Sequence, residues 1–168
     1  MQKFITLVNG VQKLVNAGVD VSTGVSDAGK AVVLKSDGTI DSTMMPTGIG
    51  ADIKLIIASE AISAGKFVNI YDNAGVATVR QADATVAGKE AHGFLVSSVA
   101  QGANATVYFE GNNNSVTGAT AGNVYLATTA GGFTSTPPSA TGNIVQRVGV
   151  ATSATSINVE FAEPTELA

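Results

Sequence analysis

The sequence predicts an all-β protein: a compact β-sandwich or β-barrel-like domain over residues 51–168, preceded by an extended N-terminal arm, residues 1–50, that opens with a β-hairpin. Three observations predict it. From residue 51 onward, strand-length apolar runs recur, each bounded by Gly, Asn or Asp, and no amphipathic helical pattern interrupts them. At the N-terminus, Asn9-Gly10 separates two β-prone runs, KFITLV and VQKLV. Between these regions lies a stretch whose apolar residues have no regular period and no local partner to bury them.

The hairpin rests on turn chemistry. Both central residues of a type I′ turn need positive φ, which Asn-Gly supplies. Phe4, Val8, Val11 and Val15 also fall at helical spacing, but Gly10 in mid-helix would cost about 1 kcal/mol. Residues 18–30, with Gly18, Gly24 and Gly29, read as a flexible connection. A short strand AVVLK follows (31–35), then a turn at Ser36-Asp37-Gly38 and the segment TIDSTMMPTGIG. Pro46 has no amide donor and biases Met45 away from helix, so an extended strip is expected. A hairpin alone is marginal in water. Ile40, Met44, Met45, Pro46 and Ile49 therefore form a candidate partner-binding strip, needing a surface supplied from elsewhere.

In the β domain the expected strands are 53–58, 66–72, 76–82, 93–99, 105–110, 123–128, 132–136, 144–151 and 156–162. Asp72–Gly75, Thr128–Gly132 and Thr152–Thr155 are the tight returns. The last run alternates, with Ile157, Val159 and Phe161 inward and Ser156, Asn158 and Glu160 outward. Eight of the nine aromatics fall in these runs and are expected as core. Ala64-Gly65-Lys66, Ala121-Gly122-Asn123 and Thr141-Gly142-Asn143 each open a strand, which points to shared turn chemistry and not to a sequence repeat.

Charge narrows the function. Charged residues are only 13% of the 168, about half the usual share, so the chain either keeps a bland surface or buries much of it against partners. The net charge of −4 lies wholly in residues 51–168, which carry five basic and nine acidic groups. With no basic stripe, nucleic acid is excluded as a partner. Without cysteine there are no disulfides or thiolate-bound metals. Past the interrupted stretch Phe4–Val8 no apolar run exceeds four residues, so neither a secretory leader nor a membrane span is expected.

No catalytic constellation stands out. His92, the only histidine, has Asp83, Glu90, Ser97 and Ser98 near it in sequence, yet there is no nucleophile elbow, and a structural role is the expected one. Asp37 and Asp41 have a spacing that could touch calcium but lack the further oxygens of a true loop. Gly122 and Gly131-Gly132 lack the context of a phosphate loop. Asn112-Asn113-Asn114 reads as a loop tip, and Glu160, Glu163 and Glu166 as a solvated acidic tail.

The run GKAVVLKSDGTIDSTMMPTGIGAD, with GKEAHGFLVSSV, ATVYFEG, NVYLATTAGGFTSTPP and GNIVQRVGVATSATSINVEF, resembles the capsid decoration (cement) or head-fibre proteins of tailed bacteriophages, over nearly the whole chain. The resemblance implies a structural virion protein, not an enzyme and without a cofactor. It implies a homotrimer on the outer capsid surface, made in the host bacterial cytoplasm, binding the major capsid (coat) protein after expansion and bridging its subunits. Some phage tail fibres carry a similar Gly-Lys…Asp-Gly…Pro phrase, so a tail-fibre or receptor-binding module is the alternative.

Overall fold

The computed structural model describes residues 4–15, 18–45 and 52–168. It is nearly all-β, with 40% of residues in strands and 3% in helix. The chain divides into two units, Met1–Gly50 and Ala51–Ala168.

In the first unit, β1 (Phe4–Val8) and β2 (Val11–Val15) pair antiparallel, with Val8 opposite Val11. Asn9 and Gly10 have φ of 53° and 76°, so the two-residue turn is of the expected primed kind. Residues 18–30, expected as a connection, are more than that. β3 (Gly18–Val19) pairs parallel with β4 (Ala31–Val32) around a 3-10 turn at Val25–Asp27. Asp27 organises this loop by accepting from the Thr23 amide (2.6 Å), the Thr23 hydroxyl (2.7 Å) and the Lys30 ammonium (2.6 Å).

Two expectations for the first unit are corrected. The strand over 31–35 stops at Val32, because the backbone groups of Lys35 are taken by a local turn: its amide donates to Thr39 O (2.8 Å) and its carbonyl accepts from Gly38 (2.9 Å). The strip TIDSTMM is not extended throughout, since Ser42–Met44 forms a 3-10 turn closed by Met44 N–H donating to Asp41 O (3.0 Å).

The second unit answers "sandwich or barrel" with a closed barrel packed on a sheet. β5 (Ile53–Ala58), β6 (Phe67–Asn73), β7 (Val76–Gln81), β8 (Gly93–Phe94) and β9 (Asn104–Tyr108) close in the order β5-β7-β6-β8-β9, with β5 and β7 parallel. β10 (Gly111–Asn113), β11 (Gly122–Leu126), β12 (Phe133–Thr134), β14 (Arg147–Ser153) and β15 (Ser156–Val159) form an antiparallel sheet in the order β10-β15-β14-β11-β12. β13 (Ile144–Val145) pairs with β16 (Thr165–Glu166).

The period-two rule explains two cores from one set of strands. Val68, Val79, Ala105, Val107, Ile56 and Leu95 fill the barrel. Their chain neighbours Phe67 and Phe94 point the other way and pack with Val124, Leu126, Val148, Ile157 and Val159 of the open sheet. Phe67 and Val68 are both fully buried, so β6 is covered on both faces. Phe94 stacks on Tyr108 at 5.5 Å, and Phe161 meets Phe67 edge-on at 6.2 Å. Ile157 and Val159 are buried and Asn158 exposed, as their alternation predicts.

Several runs are interrupted for identifiable reasons. The run 93–99 ends as a strand at Phe94; Val99 then makes only an isolated bridge to Ile62. The run 144–151 breaks at Gln146, whose buried amide accepts from Ala91 N–H (2.8 Å) and donates to Ala91 O (3.0 Å), standing in for a strand neighbour. The last run ends at Val159 as a strand, leaving Phe161 half-buried. Asn112-Asn113-Asn114 is not a loop tip. Asn113 lies in β10 with no exposed surface, and its amide donates to Gly65 O (3.0 Å) and accepts from Ser115 N–H (3.2 Å). Gly65, Gly122 and Gly142 all have positive φ, the common turn chemistry read from the sequence.

Candidate functional site

The candidate strip is built from a repeated local device. In Asp37-Gly38-Thr39, Asp37 Oδ1 accepts from both the amide (3.0 Å) and the hydroxyl (2.6 Å) of Thr39. In Asp41-Ser42-Thr43, Asp41 Oδ1 accepts from both the amide (3.0 Å) and the hydroxyl (2.7 Å) of Thr43. Lys35 stands between the two carboxylates, with its Nζ 3.8 Å from Asp37 and 3.7 Å from Asp41. Thr43 also ties the strip to the preceding loop by accepting from Ser22 N–H (2.8 Å).

These bonds favour the charged carboxylates. The Thr39 hydroxyl and then its amide hold Asp37 below the usual carboxylate range, with Lys35 adding to the effect. For Asp41 the Thr43 amide leads, then the Thr43 hydroxyl, again with Lys35. Both carboxylates are thus engaged by protein donors, and among the described residues no group of three or more His, Cys, Asp or Glu could hold a metal ion.

The turns set the backbone and leave the apolar side chains uncovered. Ile40 is 52% exposed, Met45 is 43% exposed and Met44 is half-buried. Val25, Val32 and Leu34 are exposed too. Pro46 and Ile49 lie outside the described residues. Among the first-unit residues whose exposure is described, which leave out most of the hairpin side chains, none is buried. The sequence singles out the methionines but not Val32 and Leu34, whose apolar run reads as a strand; Val32 does lie in β4, and both are exposed.

The second unit has an uncovered apolar surface of its own. β5 reads IKLIIA, wholly apolar on one face and apolar after Lys54 on the other, much as a strand covered on both sides would. Its inner residues Ile56 and Ala58 line the barrel, while Ile53, Leu55 and Ile57 are 47%, 62% and 44% exposed. Val76, on the adjoining β7, is exposed as well.

The residues near His92 in sequence do not assemble a catalytic triad. Its amide donates to Val68 O (2.8 Å) and its Nδ1 accepts from Ile70 N–H (3.0 Å), so the imidazole pins the chain to β6. Asp83 instead binds the amide and hydroxyl of Thr85 and the Lys89 ammonium (3.0 Å). Ser98 Oγ accepts from Ala64 N–H (3.1 Å). Among the described residues no helix is long and apolar enough to cross a membrane.

No protein-family model, curated protein or solved structure matches the chain.

Proposed function

We propose that the chain is a structural, non-catalytic virion protein of the cement class. It would bind the outer surface of a bacteriophage head as a homotrimer and brace the expanded capsid by bridging coat subunits. The observation that carries this reading is the contrast between the units. The second has two closed cores, whereas from residue 18 to residue 45 no first-unit residue whose exposure is described is buried, although its turns are well hydrogen-bonded. An arm with a defined backbone and exposed Ile40 and Met45 suits docking on another protein. Methionine, unbranched and adaptable, suits irregular pockets.

Each arm side chain fully buried on a partner contributes about 1.5–3 kcal/mol before ordering costs. One arm is then a modest anchor. Three arms on a trimer make a strong one, because the second and third dock intramolecularly. The exposed stripe Ile53, Leu55, Ile57 offers an apolar face for contact between copies.

The test mixes full-length protein, and residues 51–168 alone, with undecorated expanded heads, and images the particles. The expected result is regular density with the full chain and none with the shorter one, which stays folded by circular dichroism. Density with both would reject the arm as the anchor. Density with neither, together with binding to host cells, would favour the tail-fibre alternative.

A further inference from the structure

A groove of ≈ 570 Å³ opens on the second unit between residues 90–92 and residues 161–164, within the size range of ligand pockets. Ile70, Phe109, Phe161 and Pro164 give it apolar walls. Among the described residues, the charged ones that line it are Glu90 and Glu163, both acidic. Gln146 lines it too, but its amide is committed to Ala91 (2.8 and 3.0 Å).

His92 is exposed and lines the same groove. Its Nδ1 accepts from Ile70 N–H (3.0 Å), so the proton of the neutral ring sits on Nε2, and among the described residues nothing accepts from it. One carboxylate oxygen of Glu90 accepts from Gly88 N–H (2.9 Å), which fixes that side chain. Glu163 forms no ion pair among the described residues. The nearest arginine in sequence, Arg147, is paired with Glu160 at 3.1 Å.

We propose that this groove takes a lysine or arginine side chain carried on an extended segment of a partner protein. The aliphatic stem lies along Ile70, Phe109 and Phe161, as long basic side chains do on apolar surface. The cation meets Glu90 and Glu163, and the main-chain carbonyl beside it accepts from His92 Nε2–H. An anionic ligand would face two carboxylates, and a wholly apolar one would strip water from them without return. A free polyamine matches the charge but offers no acceptor to His92. The inference is independent of the N-terminal arm and is tested without any virion.

The experiment is a solution NMR titration of the full-length protein with three capped tripeptides, Ala-Lys-Ala, Ala-norleucine-Ala and Ala-Glu-Ala, each to about 10 mM, the range suited to so small a contact. The lysine peptide should move the His92 side-chain nitrogen and the Ile70 and Ala91 amides, and bind about tenfold tighter than the norleucine peptide. Ala-Glu-Ala should leave these signals still. The double variant Glu90→Gln/Glu163→Gln keeps a side-chain oxygen at position 90 to accept from Gly88 N–H, and it should abolish the lysine preference. Equal binding of lysine and norleucine peptides, or shifts that map elsewhere, would overturn the proposal. So would spermidine binding at the same nuclei as tightly as the lysine peptide, which would make the groove a free-amine site. If the variant misfolds, the peptide comparison on the unaltered protein still decides.

Discussion

Gly65 lies against the Ser115 carbonyl so closely that a Cβ placed on it would stand 2.2 Å from the Ser115 oxygen. Its φ of 80° is itself a conformation that side-chain-bearing residues avoid. The contact is reinforced by Asn113, whose amide binds Gly65 O (3.0 Å) and Ser115 N–H (3.2 Å), so this crossing joins the start of β6 to the chain beyond β10. Gly65→Ala should destabilise the protein by at least about 2 kcal/mol, through left-handed strain and displaced backbone together. Urea unfolding followed by circular dichroism measures it; an unchanged midpoint would mean that the crossing relaxes freely.

A second backbone prediction runs the other way. Asn73 pairs with Val76 across a two-residue turn in which Ala74 and Gly75 have φ of 54° and 86°. The hairpin at residues 9–10 uses Asn-Gly for the same geometry, whereas here alanine occupies the first position. Ala74→Asn should relieve that strain and stabilise by about 0.5–1 kcal/mol, raising the melting temperature by about 1–4 °C. A lower melting temperature would show that the Ala74 methyl makes a contact worth more than the strain.

Asp83 predicts a pH dependence. Burial opposes its ionisation, but the Thr85 hydroxyl, the Lys89 ammonium (3.0 Å) and the Thr85 amide (3.0 Å) together outweigh it, leaving the carboxyl below its ordinary range. The folded pKa is therefore below the unfolded value of about 3.9. Asp83 adds stability that is complete above that value and is lost as pH falls through the folded pKa. Asp83→Asn should lower the unfolding free energy at pH 7 and make its loss on acidification shallower. Parallel pH profiles for the two proteins would remove Asp83 as the cause.

The arm prediction separates folding from function. Ile40 and Met45 are exposed and Met44 is half-buried, so Ile40→Ser/Met44→Ser/Met45→Ser should change overall stability by less than about 1 kcal/mol. On the proposed reading it should weaken capsid binding at least tenfold, because several apolar anchors are lost together. Loss of stability without loss of binding would place these side chains in an intrachain role.

The residues themselves determined what local chemistry can decide. Asn9-Gly10 demanded a primed turn, the glycines at 65, 122 and 142 demanded positive φ, and the alternation around Ile157 assigned a buried and an exposed face. Local signals also marked 40–49 as apolar without a local partner, although Pro46 and Ile49 lie outside the described residues. Tertiary structure decided the rest. Phe67 and Val68 enter different cores only because the barrel closes and a sheet then covers its wall, and closure depends on pairings such as β5 with β9 that no local window contains. Likewise Gln146 ends one strand and begins another because Ala91, 55 residues away in sequence, presents both backbone groups to its amide. Turn preferences are encoded in neighbours along the chain, whereas closure and burial depend on residues that become neighbours only after folding.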